Sequence, residues 1–481
     1  MLPDLPFDPA CVLIDGTWRR TTETIAVSDP SCGKILATIA RGSARNIDQA
    51  VAAATRARDG AWGRTPALER GRILNRLGAL ITDHVDALAR TEALDVGKPL
   101  SQARADAMAL ARYCEFYGGA ADKLMGQTIP YLEGYTVYAM REPHGVTGHI
   151  VPWNYPMQII GRSVAAALAA GNACVLKPAE DACLTALWFA HLAQEAGLPD
   201  GALNVVPGYG GEAGAALSAH PGIQHLSFTG SVATGRAVQI AAGANVVPVT
   251  LELGGKSPQI VFDDADLDAA LPFLVGAGLQ NAGQTCSAAS RILVQRGVYD
   301  QVAQAMATAY RTLRGGPALD NPDIGPLISA AQKDRVQKHL NHAKGLKMLA
   351  EGVLPDNLPA GGHYMAPRLY GMVPPDHPLA QEEIFGPVQV LIRFDDEAEA
   401  CRIANGTAYG LVAGIWTQDG GRQMRLARDL RAGQVFINNY GAGGGVELPF
   451  GGHGLSGHGR EKGFEALMGF TTLKTVAARH G

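Results

Sequence analysis

Long apolar runs are missing from this sequence: stretches such as Val164 to Ala170 stop far short of the ~20 residues that cross a bilayer. The opening residues MLPDLPFDPA contain neither a basic nor an apolar leader region, so no secretory signal is read and no membrane partner is expected. Cysteine is present seven times, at 11, 32, 114, 174, 183, 286 and 401, but never as CxxC. An odd, dispersed set argues against a disulfide framework or a zinc ribbon and points to a reducing, cytoplasmic compartment. Charge is sparse (18%) and balanced, 41 Lys and Arg against 45 Asp and Glu for a net −4, which excludes a protein built mainly to hold nucleic acid. There is no HExxH, internal repeat or low-complexity run. His339 and His342 at i, i+3, and His453 and His458 in a loop, lack convergent carboxylates, so no metal is expected.

What is present is a 47% hydrophobic chain of 481 residues, enough for about three domains with large cores. Glycine is in excess, 59 residues or about 12% against a usual ~7%. Scattered through ordered-looking sequence, it suggests tight turns and close backbone approaches. Residues 46–122 have helical apolar spacing, punctuated as a loop at Asp95–Pro99, and TVYAMREP (136–143) reads as an exposed strand without an evident partner. From 145 to 262 short apolar runs (GVTGHIV, NACVLK, ALNVV, QHLSFT, PVTLEL, PQIVF) alternate with helices near 157–170, 182–196, 211–219 and 231–243. That alternation predicts a parallel, doubly wound sheet. A second α/β segment, about 264–440, carries RILVQ, VQVLIRF, VAGIW and QVFIN; a glycine- and histidine-rich loop at 441–460, a short helix and the strand TTLKTV follow.

Four segments carry chemistry. GQTCSA places Cys286 in a loop of small residues where a thiol is reachable, although a lone cysteine read by itself is a buried small hydrophobe. LELGGKS ends a buried-looking strand with Glu252, which is costly there unless paired or functional. PWNYP puts Asn154 at a strand-to-helix turn, as an oxyanion donor or a helix cap. FTGSVATG is a bare strand-to-helix turn suited to a pyrophosphate, with GSVATG in place of GxGxxG.

In this order, and together with AAGN, VLKPAE, EEIFGPV and PFGG…SGHGRE, these segments resemble the aldehyde dehydrogenase superfamily over nearly the whole chain. The resemblance implies Cys286 as nucleophile, Asn154 with the Cys286 N–H as oxyanion donors, and Glu252 as the base that hydrolyses a thioester. It implies NAD as cofactor, held by Val151, Pro152, Trp153, Lys177, Glu180, Gly210, Gly214, Phe228, Gly230, Ser231, Leu253, Glu383 and Phe385. Glu252 argues against a coenzyme A-acylating relative, and intact Cys286 against a catalytically silent scaffold. The cofactor segments argue against a plain thiol hydrolase.

Where many relatives have Trp-Lys, this chain has Arg162-Ser163, and Gly454 stands where they often have Lys. Tyr155, Gln158 and Arg162 fall on one helical stripe beside Asn154, predicted to line the substrate funnel. Arg162 then either captures a polar or carboxylated aldehyde, as in the similar succinate semialdehyde dehydrogenases, or sits in a structural ion pair. Those enzymes have a second arginine where this chain has Gln280.

The implied fold is α/β in three parts. A Rossmann-like, doubly wound cofactor domain would use 1–123 and 144–253, and an α/β catalytic domain 254–460. A small β arm, 124–143 and 461–481, would join a neighbouring subunit in a dimer or tetramer.

Overall fold

A computed structural model describes residues 2–441 and 445–481; residues 442–444 of the expected glycine loop lie outside them. Each α/β segment builds its own sheet and core. The first sheet has eight strands, in the order Thr17–Arg20, Cys11–Ile14, Leu203–Val205, Ala173–Pro178, Val146–Val151, His225–Thr229, Val249–Glu252, Gly457–His458. The five from Leu203–Val205 to Val249–Glu252 run parallel. The central ones are fully buried along their length, as a sheet covered by helices on both faces requires. The chain leaves Val146–Val151 toward one edge and returns on its other side with His225–Thr229. The carboxyl ends of these two strands therefore flank a topological switch point, where open α/β sheets bind ligands.

The second sheet orders Lys347–Glu351, Arg368–Gly371, Val388–Phe394, Arg291–Gln295, Pro258–Val261, Val412–Trp416, Gln434–Ile437, all parallel but for the first edge strand. Every apolar run read as a strand between 145 and 440 forms one. The strands at 11–14, 17–20, 24–28 and 35–40, and the pair at 347–351 and 368–371, went unread.

Three expectations need correction. The helix Val85–Val96 continues through Asp95 and stops at Gly97, whose φ of 87° suits only glycine well, so the connection to Leu100–Ala120 is just Gly97–Pro99. The strand Tyr135–Pro143 is not partnerless. It is the middle strand of a three-stranded sheet, between Gln127–Thr128 and Thr471–Arg479, and the long edge left open belongs to Thr471–Arg479. The loop at 441–460 is not confined to the second sheet. Gly457–His458 pairs with Leu251 and Glu252 of the first, and helix Gly463–Gly469 buries Ala466 and Leu467 in the first core.

Candidate active site

One cleft, walled by residues of both sheets' segments, is lined by Asn154, Glu252 and Cys286 together. Cys286 lies between helix Leu267–Leu279 and strand Arg291–Gln295. The intervening chain turns sharply, with left-handed φ values at Asn281 (50°), Ala282 (55°) and Gly283 (74°). Two of these are not glycine, so the turn is strained and must be held from outside. PWNYP holds it: Asn154 Nδ2 donates to the Gln284 carbonyl at 3.0 Å and Asn281 Nδ2 donates back to the Asn154 carbonyl at 3.0 Å. Asn154 keeps a second N–H for a ligand. It does not cap the following helix, which begins at Pro156 with Tyr155 as N-cap.

The two glycines of LELGGKS have a steric reason. A Cβ on Gly254 would come within 2.5 Å of Glu383 Oε2, and one on Gly255 within 2.2 Å of the Cys286 carbonyl. Bare backbone therefore lets the cysteine loop and Glu383 reach the end of the Glu252 strand. Glu383 Oε1 accepts from the Gly255 N–H at 2.9 Å, and burial raises its carboxyl to about 7.

Glu252 is 1% exposed, and neither carboxylate oxygen has a hydrogen bond among the described residues. Burial, then the nearby Glu461, pushes its carboxyl well above the usual range, against the pull of Arg162. Gly451 packs so close that a Cβ there would lie 2.9 Å from Glu252 Oε1. Burial likewise lifts the Cys286 thiol to about 12, opposed by the Arg162 charge.

Tyr155, Gln158 and Arg162 all line the cleft, although a π-turn at Gly161–Ala165 interrupts their helix. All three have protein partners, the Tyr155 ring lying 4.0 Å from Lys98 Nζ. Gln158 Nε2 donates to Asp106 Oδ1 at 2.5 Å. Arg162 forms a buried ion pair with Glu461 and stacks over Phe450, 4.8 Å from the ring centre. Burial opposes the Arg162 charge, but Glu461 and then Glu252 outweigh it and raise its pKa.

On the other side the cleft is walled by Pro152, Trp153, Gly230, Ser231, Leu253 and Phe385. Trp153 meets Phe385 edge-on at 5.5 Å. Phe228 is not in the cleft but beneath it, where a Cβ on Gly230 would come within 2.6 Å of its ring. Val151 is likewise buried as the last residue of its strand. Lys177, Glu180, Gly210 and Gly214 form a separate cluster at the end of the neighbouring strand. There Lys177 Nζ meets Glu180 Oε2 at 2.8 Å, and the Gly210 N–H donates to Glu180 Oε1 at 3.3 Å. Burial raises the Glu180 carboxyl, but Lys177 outweighs it and holds the group below its ordinary value.

A dinucleotide fits these features. A helix start, Ser231 capping Val232–Gly243 over a glycine turn, lines the cleft together with the aromatic wall, and Gly210 and Gly211 face open space. Among the described residues no three His, Cys, Asp or Glu side chains gather as a metal site. No helix there is long and apolar enough to cross a membrane.

The family model for the aldehyde dehydrogenase family matches residues 18–476. The chain belongs to that family. It is 42% identical over 463 residues to an aldehyde dehydrogenase of Emericella nidulans, covering 95% of this chain and 92% of the relative. It is 40% identical to a hydroxyisobutyraldehyde dehydrogenase of Mycolicibacterium austroafricanum, covering 97% and 93%. Among solved structures, a Burkholderia cenocepacia protein provisionally called an aldehyde dehydrogenase superposes with a TM-score of 0.97 at 66% identity, covering 98% and 100%. The NAD+ complex of a Bacillus cereus aldehyde dehydrogenase superposes with 0.95 at 38%, covering 98% and 97%.

Three buried residues of this aldehyde dehydrogenase escaped the sequence reading. Glu461, which also accepts from Ser227 Oγ at 2.9 Å, sits in the quoted SGHGRE but was not singled out. Lys462 follows it and lines the cleft. Lys98, in the Asp95–Pro99 segment, pairs with Glu92 and Asp106 behind the stripe. Their local sequence gave no signal: Lys98 stands in the loop-like DVGKP, and Glu461 and Lys462 stand in the charged run Arg460-Glu461-Lys462.

Proposed function

We propose that this enzyme oxidises an aldehyde to the carboxylic acid with NAD, through a covalent intermediate on Cys286. The observation that carries the reading is the convergence of Cys286, Asn154 and Glu252 in one cleft whose far wall fits a dinucleotide. Bound there, NAD supplies the hydride acceptor. The Cys286 thiol gives up its proton to solvent through the cleft as Sγ bonds to the aldehyde carbon, and the Asn154 amide with the Cys286 N–H holds the resulting oxyanion. Loss of hydride leaves a thioester on Cys286. Glu252, made a stronger base by its burial, takes a proton from the water that hydrolyses it.

Lys177 and Glu180 hold the adenosine ribose in this reading, Gly210 and Gly214 lie toward the adenine, and the Gly230–Ser231 turn takes the pyrophosphate. Trp153, Leu253, Glu383 and Phe385 surround the nicotinamide half, with Val151, Pro152 and Phe228 shaping the turns beneath. The stripe Tyr155, Gln158 and Arg162 faces a polar or carboxylated aldehyde. The open edge of Thr471–Arg479 supports pairing with a neighbouring subunit in a dimer or tetramer.

Cys286→Ala is the test. It should abolish aldehyde-dependent NADH formation while leaving the circular dichroism spectrum and NAD binding intact; a substantial residual rate would refute the assignment.

A further inference from the structure

Building on that reading, we propose that Gln158 reads the substrate by accepting a hydrogen bond from a hydroxyl group on it, which makes the enzyme selective for hydroxyaldehydes over their apolar analogues. Gln158 lines the cleft with Asn154 and Cys286, four residues after Asn154 and within the helix Pro156–Ile160. The orientation of its amide is decided behind the cleft wall. Asp106, 2% exposed on the neighbouring helix Leu100–Ala120, presents a carboxylate, which only accepts, and its Oδ1 takes the Gln158 Nε2 hydrogen at 2.5 Å. Its Oδ2 meets Lys98 Nζ at 2.5 Å, and Lys98 Nζ meets Glu92 Oε1 at 2.8 Å. Glu92 Oε2 in turn accepts from Thr185 Oγ1 at 3.0 Å. Gln158 is thus anchored to a buried chain of ions that fixes which of its amide atoms faces inward.

With the nitrogen turned to Asp106, the amide oxygen is left on the other side, and among the described residues nothing donates to it. The acceptor is in place before a substrate arrives, so little freedom is lost when it is used. The two carboxylates bonded to the stripe, Asp106 and Glu461, are matched by Lys98 and Arg162. An ammonium group on the substrate therefore finds both of them taken, and a carboxylate has no hydrogen to give the Gln158 oxygen. A hydroxyl has one and brings no charge to strip of water. An aldehyde with a methyl in the same place would cover the oxygen, remove its water and return no hydrogen bond, which is where the discrimination arises. Residues four apart at a helix start lie roughly 5–6 Å from each other, so with the aldehyde oxygen on Asn154 the hydroxyl belongs about two carbons beyond the aldehyde carbon.

The experiment compares kcat/KM for 3-hydroxypropanal and butanal, which match in length and differ by a hydroxyl against a methyl, at saturating NAD, in the parent and in Gln158→Met. Methionine keeps the length of the side chain and leaves Asp106 its Lys98 partner. The parent should favour 3-hydroxypropanal by about tenfold, and Gln158→Met should remove that preference, chiefly through KM. Butanal should be used by Gln158→Met at least as well as by the parent, because no amide oxygen is then covered by it. Equal efficiency on both aldehydes in the parent, a preference for butanal there, or equal losses on both in Gln158→Met overturns the inference while leaving the aldehyde reaction standing. Oxidation of neither overturns the reading beneath it as well. Should Gln158→Met fail to fold, inhibition of the parent decides: 3-hydroxypropanoate must compete with the aldehyde more tightly than butanoate, and equal inhibition constants refute the proposal.

Discussion

Arg162 and Glu461, far apart in sequence, form an ion pair in which both side chains are under a tenth exposed. Removing one partner of such a pair leaves the other as an uncompensated buried charge, a loss of about 3–5 kcal/mol. Arg162→Leu should therefore lower stability by about that much in urea unfolding, and Glu461→Gln on the same background should recover part of it. Strictly additive losses would show that the pair is not coupled. The expectation that Arg162 reads the substrate thus meets a competing structural duty, and KM effects in this variant must be measured against its lowered stability.

Lys98 gives a second case of buried charge. Its Nζ lies 2.8 Å from Glu92 Oε1 and 2.5 Å from Asp106 Oδ2, and 4.0 Å from the centre of the Tyr155 ring. Asp106 in turn accepts from Gln158, so two residues of the cleft wall rest on this cluster. Lys98→Met strands two carboxylates and should cost about 3–5 kcal/mol at pH 8. Burial already raises Glu92 to about 7, and losing the Lys98 charge raises it further. A carboxyl whose folded pKa lies above its unfolded value contributes stability at low pH and loses it as pH climbs through the folded value. The penalty should accordingly be smaller at pH 5 than at pH 8; the reverse order in thermal melts would refute this account.

The alternation of apolar runs made both parallel sheets legible, because a strand buried on both faces must be continuously apolar. The N-terminal strands were not, since Thr17–Arg20 and Ile35–Ala40 are partly exposed and carry mixed residues. The segments around Cys286, Asn154 and Glu252 could be read because steric demands on glycine and loop shape write themselves into short motifs. The partners of Arg162 could not. Ion pairs join residues distant in sequence, and a lone charge in an apolar segment does not say which partner it finds.

Glu252 is held at a cost to the fold. Its carboxyl is buried without hydrogen bonds among the described residues, and its folded pKa lies well above the unfolded one. Folding above the unfolded pKa of ~4.3 must therefore take up a proton, and this contribution declines as pH rises. Glu252→Gln removes that dependence. It should stabilise the protein by roughly 1–3 kcal/mol at pH 8 and by less at pH 5, while thioester hydrolysis stalls after a single burst of NADH. Melting curves at both pH values and rapid-mixing kinetics test the two halves separately. An unchanged or lowered melting temperature at pH 8 would contradict the first, and unimpaired steady-state turnover the second.

Cofactor choice should turn on Glu180. Lys177 and the Gly210 N–H hold this carboxylate at the end of the strand Ala173–Pro178, in its charged form. There it can accept hydrogen bonds from both hydroxyls of an adenosine ribose. A 2′-phosphate in the same place would meet repulsion of about 1–3 kcal/mol at an effective dielectric near 20, which is about ten- to a hundredfold in kcat/KM. The parent should therefore prefer NAD. Glu180→Gln removes the repelling charge and also releases the Lys177 ammonium from its partner, so both changes favour the phosphate. The ratio of kcat/KM for NAD over NADP should fall about tenfold or more, chiefly through KM for NADP. A parent ratio near one would remove Glu180 from this role, and so would a ratio that Glu180→Gln leaves unchanged.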